Sequence, residues 1–308
     1  MKKINLGTGE VPCLAVGCMR MNALKPAEAA KFVSYAVENG ANFFDHADIY
    51  PGSQPYGVCE SIFAAALTDA GIKRDAVVIQ SKCGIVPGVM YDFSLRHILD
   101  SVDGILERLK TDYLDLLLLH RPDALAEPEE IAAAFDWLKS SGKVRQFGVS
   151  NHTPYQIELL KKHVKPRIVV NQLQLSITNA SMISQSMHMN TLGNDAVSRD
   201  LGVLDYCRLH DITIQPWSPF QYGFFEGVFL GSPKFPELNR VIDGIAAKYN
   251  VSNTAIAVAW LIRHPAKFQP IIGSMNTARF GECLAGTEIT LTREEWYAIH
   301  AAAGYSLL

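Results

Sequence analysis

The chain is predicted to be an α/β protein, a (β/α)8 TIM barrel with an N-terminal β-hairpin and extra helices, and three observations carry that expectation. Short apolar or β-branched runs alternate with longer amphipathic stretches along the 308 residues, the pattern of a parallel sheet covered by helices. Eight such runs can be counted between Cys13 and Ile272. No break in composition divides them, which favours one closed barrel over residues 1–308, a single domain, rather than two domains.

Each element has its own signal. Ile4–Gly9 reads as a short hairpin turning at Gly7-Thr8-Gly9 and capping the bottom of the barrel. The eight strands are expected at Cys13–Gly17, Ala41–Phe44, Ala76–Gln80, Tyr113–Leu119, Val144–Val149, Ile168–Val170, Ile212–Pro216 and Gln269–Ile272. Helices are expected at Pro26–Asn39, Val58–Ala70, Leu95–Leu109, Pro128–Ser140, Pro154–His163 and Leu201–Leu209, then at Leu238–Tyr249, Ser252–Arg263, Thr277–Leu284 and Arg293–Ala303. Gly40, Gly71 and Gly142 stop three of them, because glycine closes a helix at no steric cost. Ser176–Ser198 is less regular, and Ser218–Pro236 is a Gly/Phe/Pro-rich loop. Both are long for barrel loops, and long βα-loops tend to carry function. In the second, Phe220, Tyr222, Phe224 and Phe225 could cover a ligand or simply pack on the rim; Met182, Met187 and Met189 in the first read as adaptable filler.

Composition narrows the function classes. A net charge of -3 gives no sign of a nucleic-acid partner. The six cysteines form neither a CxxC pair nor a metal-spaced cluster, so no metal site is expected and reduced thiols in a cytoplasm suit them. No run of 18 apolar residues and no apolar leader segment is present, so neither a membrane span nor secretion is expected.

In a barrel of this kind chemistry sits at the C-terminal ends of the strands. The polar or aromatic groups there are Asp45, Lys82, His120, Ser150-Asn151, Asn171-Gln172, Trp217-Ser218 and Gly273-Ser274. Taken singly, an Asp after a strand is often a cap, a lysine a solvated loop residue and a histidine a satisfied core group. Convergence on one mouth is what argues for a site. A phenol is a poor acid at neutral pH, with an ordinary pKa of about 10. A lysine ammonium lowers it, a carboxylate keeps that lysine charged, and a histidine can orient a carbonyl oxygen. Lys82, Asp45 and His120 supply those roles for Tyr50, which lies five residues after Asp45 on the same loop. No side chain can donate a hydride, so a cofactor is implied. Asn151 and Gln172 could hold a carboxamide and Trp217 could stack on a ring, while the helix start at Thr277 with Arg279 makes a phosphate site.

These residues resemble a known family. Gly40–Tyr50 (GANFFDHADIY), Asp112–His120 (DYLDLLLLH), Gly142–Asn151 (GKVRQFGVSN), Val170–Gln172 (VNQ) and Pro270–Glu282 (PIIGSMNTARFGE) are similar, in order and spacing, to the motifs of the aldo-keto reductases, in particular their bacterial NADP-dependent branch. The resemblance implies reversible, NADPH/NADP+-dependent reduction of an aldehyde or ketone. It implies Asp45, Tyr50, Lys82 and His120 as the catalytic group, with Tyr50 the proton donor. It implies Ser150, Asn151 and Gln172 at the nicotinamide amide, Trp217 and Ser218 beside its ring, and Gly273, Ser274, Asn276, Arg279 and Glu282 toward the adenosine phosphate. Two positions depart from the pattern: Gly273 stands where many relatives carry a basic residue toward the 2'-phosphate, and Cys283 where asparagine is usual. With Arg279 retained, the expectation stays with NADPH. The chain stops soon after its last helix, so the family's substrate-covering C-terminal loop is expected to be short.

Two other readings remain. One is a non-enzymatic nicotinamide-sensing subunit on the same fold, like the β subunits of voltage-gated potassium channels; no obligate protein partner is evident from the sequence. The other is a hydrolase using Ser150 and His152, whose spacing is poor for a nucleophile and its base.

Overall fold

A computed structural model describes residues 1–7, 9–188 and 190–307; Thr8 at the expected hairpin tip and Met189 lie outside them. Strands β1 (Lys3–Leu6) and β2 (Gly9–Pro12) form the antiparallel N-terminal hairpin. The barrel strands and smaller hairpins then follow as β3 (Ala15–Gly17), β4 (Phe43–Asp45), β5 (Val78–Cys83), a β6–β7 hairpin (Ile85–Val86, Met90–Tyr91), β8 (Leu114–Leu119), β9 (Val144–Ser150), β10 (Ile168–Gln174), β11 (Thr213–Trp217), a β12–β13 hairpin (Gln221–Tyr222, Gly227–Val228) and β14 (Ile271–Ile272). Eight of them pair in parallel in the order β11-β10-β9-β8-β5-β4-β3-β14. The Gln269 amide donates to the Ile214 carbonyl at 3.1 Å and ties the ends of this ring together.

The helices are α1 (Pro26–Glu38), α2 (Val58–Asp69), α3 (Leu95–Leu109), α4 (Pro128–Ser140), α5 (Pro154–Lys161), α6 (Ser181–Met187), α7 (Val203–Leu209), α8 (Pro236–Tyr249), α9 (Asn253–Ile262), α10 (Thr277–Gly286) and α11 (Arg293–Ala302). Local chemistry sets their ends. Proline opens α1, α4, α5 and α8, where its missing N–H has no intrahelical partner to lose. Thr153 with Gln156, and Thr292 with Glu295, form capping boxes.

Strand β8 shows why the sheet must be covered on both faces. Its run LDLLLL is buried save at Asp115, as a parallel strand between core and helices requires. Asp115 is stabilised by Arg74 at 2.8 Å, by Arg145 at 3.0 Å and by the Ile79 amide at 2.9 Å.

Two expectations are corrected. Lys82, Ser150, Asn171 and Gln172 lie inside strands β5, β9 and β10 rather than after them. Polar groups that find hydrogen-bond partners do not end a strand, although a rule based on polarity stops there. The irregular segment after β10 contains α6 and a turn of 3-10 helix at Asn194–Ala196. The chain end packs on this segment: the Ala180 amide donates to Tyr305 Oη at 2.6 Å, and Ser306 donates to Asp195. Met182 is buried in the core and Met187 is exposed on the outside.

Candidate active site

Lys82 is buried on β5, and its ammonium has three protons to place. It donates to Asp45 Oδ2 at 2.8 Å, to the His46 carbonyl at 2.7 Å and to Tyr50 Oη at 3.1 Å. Burial pulls the Lys82 pKa down, but Asp45 and Tyr50 outweigh it and hold the ammonium above its ordinary value. The lysine is therefore charged at neutral pH. For Tyr50 the balance runs the other way from the sequence expectation: burial raises the phenol's pKa, and the lowering by Lys82 only partly offsets this. Tyr50 is thus a protonated phenol at neutral pH, hydrogen-bonded to a fixed cation.

Asp45 is itself held from behind. Its Oδ1 accepts from Gln80 Nε2 and, at 3.0 Å, from Gln172 Nε2. Gln80 and Gln215 exchange hydrogen bonds at 2.9 and 3.1 Å. Gln172 also donates to Gln215 at 3.1 Å, and Gln215 donates to Gln269 at 2.8 Å. All four glutamines are buried, and both Nε2 protons of Gln80, Gln172 and Gln215 are used. Sequence reasoning missed this amide layer. Its signal was present: Gln80 and Lys82, like Gln215 and Trp217, are two apart on apolar strands and so face one side.

His120 follows β8, its ring 6.3 Å from that of Tyr50 and edge-on to it. Burial, then Lys82 and Arg121, push its pKa well below the ordinary value, so the imidazole is neutral at physiological pH. Behind the site the Asp48 carboxyl is pushed up to about 7 by burial and by Glu60. Glu60 bonds Arg108 at 2.7 Å and Ser81 at 2.7 Å.

A cavity of about 960 Å³ opens at the C-terminal ends of the strands. Asp45, Tyr50 and His120 line it, as do Asn276, Arg279 and Glu282. Ser150, Asn151, Gln172, Trp217, Ser218, Gly273 and Ser274 contribute to its walls. Of the residues expected at the mouth, all but Lys82 and Asn171 line this one cavity; Lys82 sits beneath it bonded to Tyr50, and Asn171 turns away, its amide donating to the His152 carbonyl at 2.8 Å. Asn151 links Ser150 Oγ at 2.8 Å to Trp217 Nε1 at 3.1 Å. Asn151 and Ser218 both adopt left-handed backbone, φ 60° and 54°, an unusual conformation for non-glycine residues that concentrates at ligand clamps. Phe225 stacks on Trp217 with ring centres 5.9 Å apart, and Phe220 and Phe225 line the cavity. Arg20 and Arg121 also line it; neither was singled out from sequence. His152 directs Nδ1 to the Ser150 backbone carbonyl at 2.9 Å, and Ser150 Oγ donates to the Gln172 carbonyl at 3.0 Å. A serine–histidine couple for hydrolysis is thus not formed.

The barrel, with its cavity at the C-terminal ends of the strands, places the chain among (β/α)8 proteins of the oxidoreductase kind. The model of the aldo/keto reductase family matches residues 13–303, and the chain belongs to that family. It is 35% identical to the 6-dehydroglucose reductase of Novosphingobium aromaticivorans over 94% of this chain and 91% of that protein. It is 32% identical to the oxidoreductase YdhF of Escherichia coli over 91% of this chain and 89% of that protein. Among solved structures, a thermostable aldo-keto reductase, Tm1743, in complex with the inhibitor epalrestat matches with a TM-score of 0.78 at 25% identity, covering 98% of this chain and all of that one.

Proposed function

We propose that the protein is an NADPH-dependent reductase of aldehydes and ketones, one barrel domain over residues 1–308, with Tyr50 as general acid. The observation that carries this reading is the 3.1 Å bond between Tyr50 Oη and a Lys82 ammonium paired with Asp45, beside a cavity of about 960 Å³. The wall residues fit that cofactor: Ser150, Asn151 and Gln172 offer hydrogen bonds for an amide, Trp217 with Ser218 a flat flank, and Gly273, Ser274, Asn276, Arg279 and Glu282 an end suited to a phosphorylated adenosine.

A reduced nicotinamide, when bound, supplies the hydride. His120, neutral at physiological pH, orients the carbonyl oxygen by hydrogen bonding. Tyr50 Oη gives its proton to that oxygen as negative charge develops there. Lys82 then stabilises the phenolate, and Asp45 keeps Lys82 charged and in place. The partner is a small aldehyde or ketone, with no nucleic acid, membrane or obligate protein partner. Six buried thiols that are not joined in disulfides support a cytoplasmic setting.

The test follows absorbance at 340 nm with NADPH and a panel of aldehydes and ketones that includes 6-dehydroglucose. Wild type is expected to turn over at least one compound, while Tyr50→Phe loses turnover by about 100-fold or more yet binds the cofactor as before. Cofactor binding without turnover on a broad panel would favour the sensing subunit instead.

A further inference from the structure

We infer that Arg20, on the turn after β3, binds a phosphate group of the dinucleotide and supplies the cation that position 273 lacks. The inference rests on the proposed reading of the cavity and adds a residue to it. Three arginines line that cavity: Arg20, Arg121 and Arg279. Arg121 follows His120 at the reacting end, and Arg279 stands on the first turn of α10. Arg20 reaches the loop between β14 and α10 from a site 253 residues away in sequence, donating Nη1 to the Gly273 carbonyl at 3.3 Å.

The glycine makes that reach possible. A Cβ at position 273 would lie 2.9 Å from Arg20 Nη1. The guanidinium therefore stands in the sector that a side chain at 273 would otherwise fill. Gly273 has no left-handed backbone that would call for glycine, so the space it leaves is its structural contribution. A guanidinium carries five N–H donors. For Arg20 one is used, and no ion pair engages it among the described residues. Ser274, Asn276 and Arg279 line the same cavity, whose acidic lining residues are Asp45 and Glu282. A planar fork of donors with no acidic partner, hydrogen-bonded to the Gly273 carbonyl just before a helix start, matches phosphate oxygens.

The experiment is a titration of wild type, Arg20→Ala, Gly273→Ala and the double variant with NADP+ and with NAD+, read by quenching of tryptophan fluorescence so that no turnover is needed. Arg20→Ala is expected to weaken NADP+ binding about 10- to 100-fold, the range for a hydrogen bond to a charged group. It should also flatten the dependence of Kd on salt. Loss confined to NADP+ places Arg20 on the 2'-phosphate; equal loss for both dinucleotides places it on the shared diphosphate. Gly273→Ala, which displaces only the far end of a flexible side chain, should weaken binding in wild type and cost nothing further in the Arg20→Ala background. If wild type binds and Arg20→Ala stays within twofold of it for both dinucleotides, the inference is overturned while the function stands. If wild type binds neither, the reading of the cavity fails, and this inference with it.

Discussion

Replacing Lys82 by methionine separates what the buried ion pair does for stability from what it does for chemistry. Lys82 and Asp45 have side chains 0% and 2% exposed and meet at 2.8 Å. Methionine keeps much of the volume but leaves Asp45 as a buried carboxylate with two amide donors, from Gln80 and Gln172. Removing one partner of a buried pair costs about 3–5 kcal/mol, a large share of the roughly 5–15 kcal/mol that holds a folded chain. With a urea slope of about 3 kcal/mol/M, the midpoint should fall by about 1–1.7 M. Asp45→Asn alone strands the ammonium and should cost a similar amount. The double variant Asp45→Asn/Lys82→Met buries no charge, and the asparagine oxygen can still accept from both glutamines. Its midpoint should therefore recover to within about 0.5 M of wild type, a coupling typical of residues in direct contact. Carbonyl reduction should not recover, because Tyr50 has lost its cation. Urea denaturation followed by circular dichroism, with the NADPH assay run on the same samples, reads both quantities. A double variant as unstable as the sum of the two single changes would refute the account of the pair. One that recovers activity would refute the role given to Lys82.

Two further outcomes follow from groups around the same cluster. The Asp48 carboxyl is raised from 3.8 to about 7 in the folded chain, so the folded state holds its proton more tightly than the unfolded state does. Its contribution to stability is present below pH 4 and is lost as pH rises through 7, by up to about 4 kcal/mol. Asp48→Asn should accordingly gain on wild type between pH 4.5 and 8, and parallel stability curves over that range would contradict the assignment. Gln215→Leu should destabilise by about 3 kcal/mol or more, since it strips partners from the buried amides of Gln80, Gln172 and Gln269 at about 1–3 kcal/mol each. Thermal unfolding that shifts by less than a degree or two would show that the amides find other partners.

The parts of this molecule legible in one dimension are those set by neighbours in sequence. Gly40 and Gly142 adopt φ of 79° and 77° just past helices α1 and α4, which is why they could be read as stops. Asp45, Tyr50 and His120 were found because each lies at or just past a strand end. The expected ends of β5 and β10 came too early because Lys82 and Gln172 look like loop residues until their partners are known. Those partners come from far along the chain. Gln80 meets Gln215 across 135 residues, and Arg20 meets Gly273 across 253. No local spacing encodes either meeting; closure of the barrel creates both. The direction of the Tyr50 shift was missed for a related reason. A lysine beside a phenol can be anticipated from motif order, but the burial that outweighs it depends on the whole fold.

The amide layer joins barrel closure to the candidate chemistry. In the ring of eight strands, β5 lies four places from β11 and β4 four places from β10. The Gln80–Gln215 and Asp45–Gln172 bonds therefore each span the full barrel interior. Layers there are ordinarily filled by branched apolar side chains, and polar groups in such a place are tolerated only when satisfied. Here every donor is fixed by acceptors at the two ends: Gln80 and Gln172 each give one proton to Asp45 and one to Gln215, Gln215 gives to Gln80 and Gln269, and Gln269 Nε2 gives to the Pro12 carbonyl at 2.7 Å. A flipped amide anywhere in this chain would set two donors or two acceptors face to face, so the network admits one arrangement. It begins at the end of the N-terminal hairpin, passes the seam where the β14 segment meets β11, and ends on the carboxylate that holds Lys82. The position of Tyr50 relative to its cation is thus fixed by the same contacts that close the barrel, which is why a change at Gln215, far from any substrate, should be felt at the phenol.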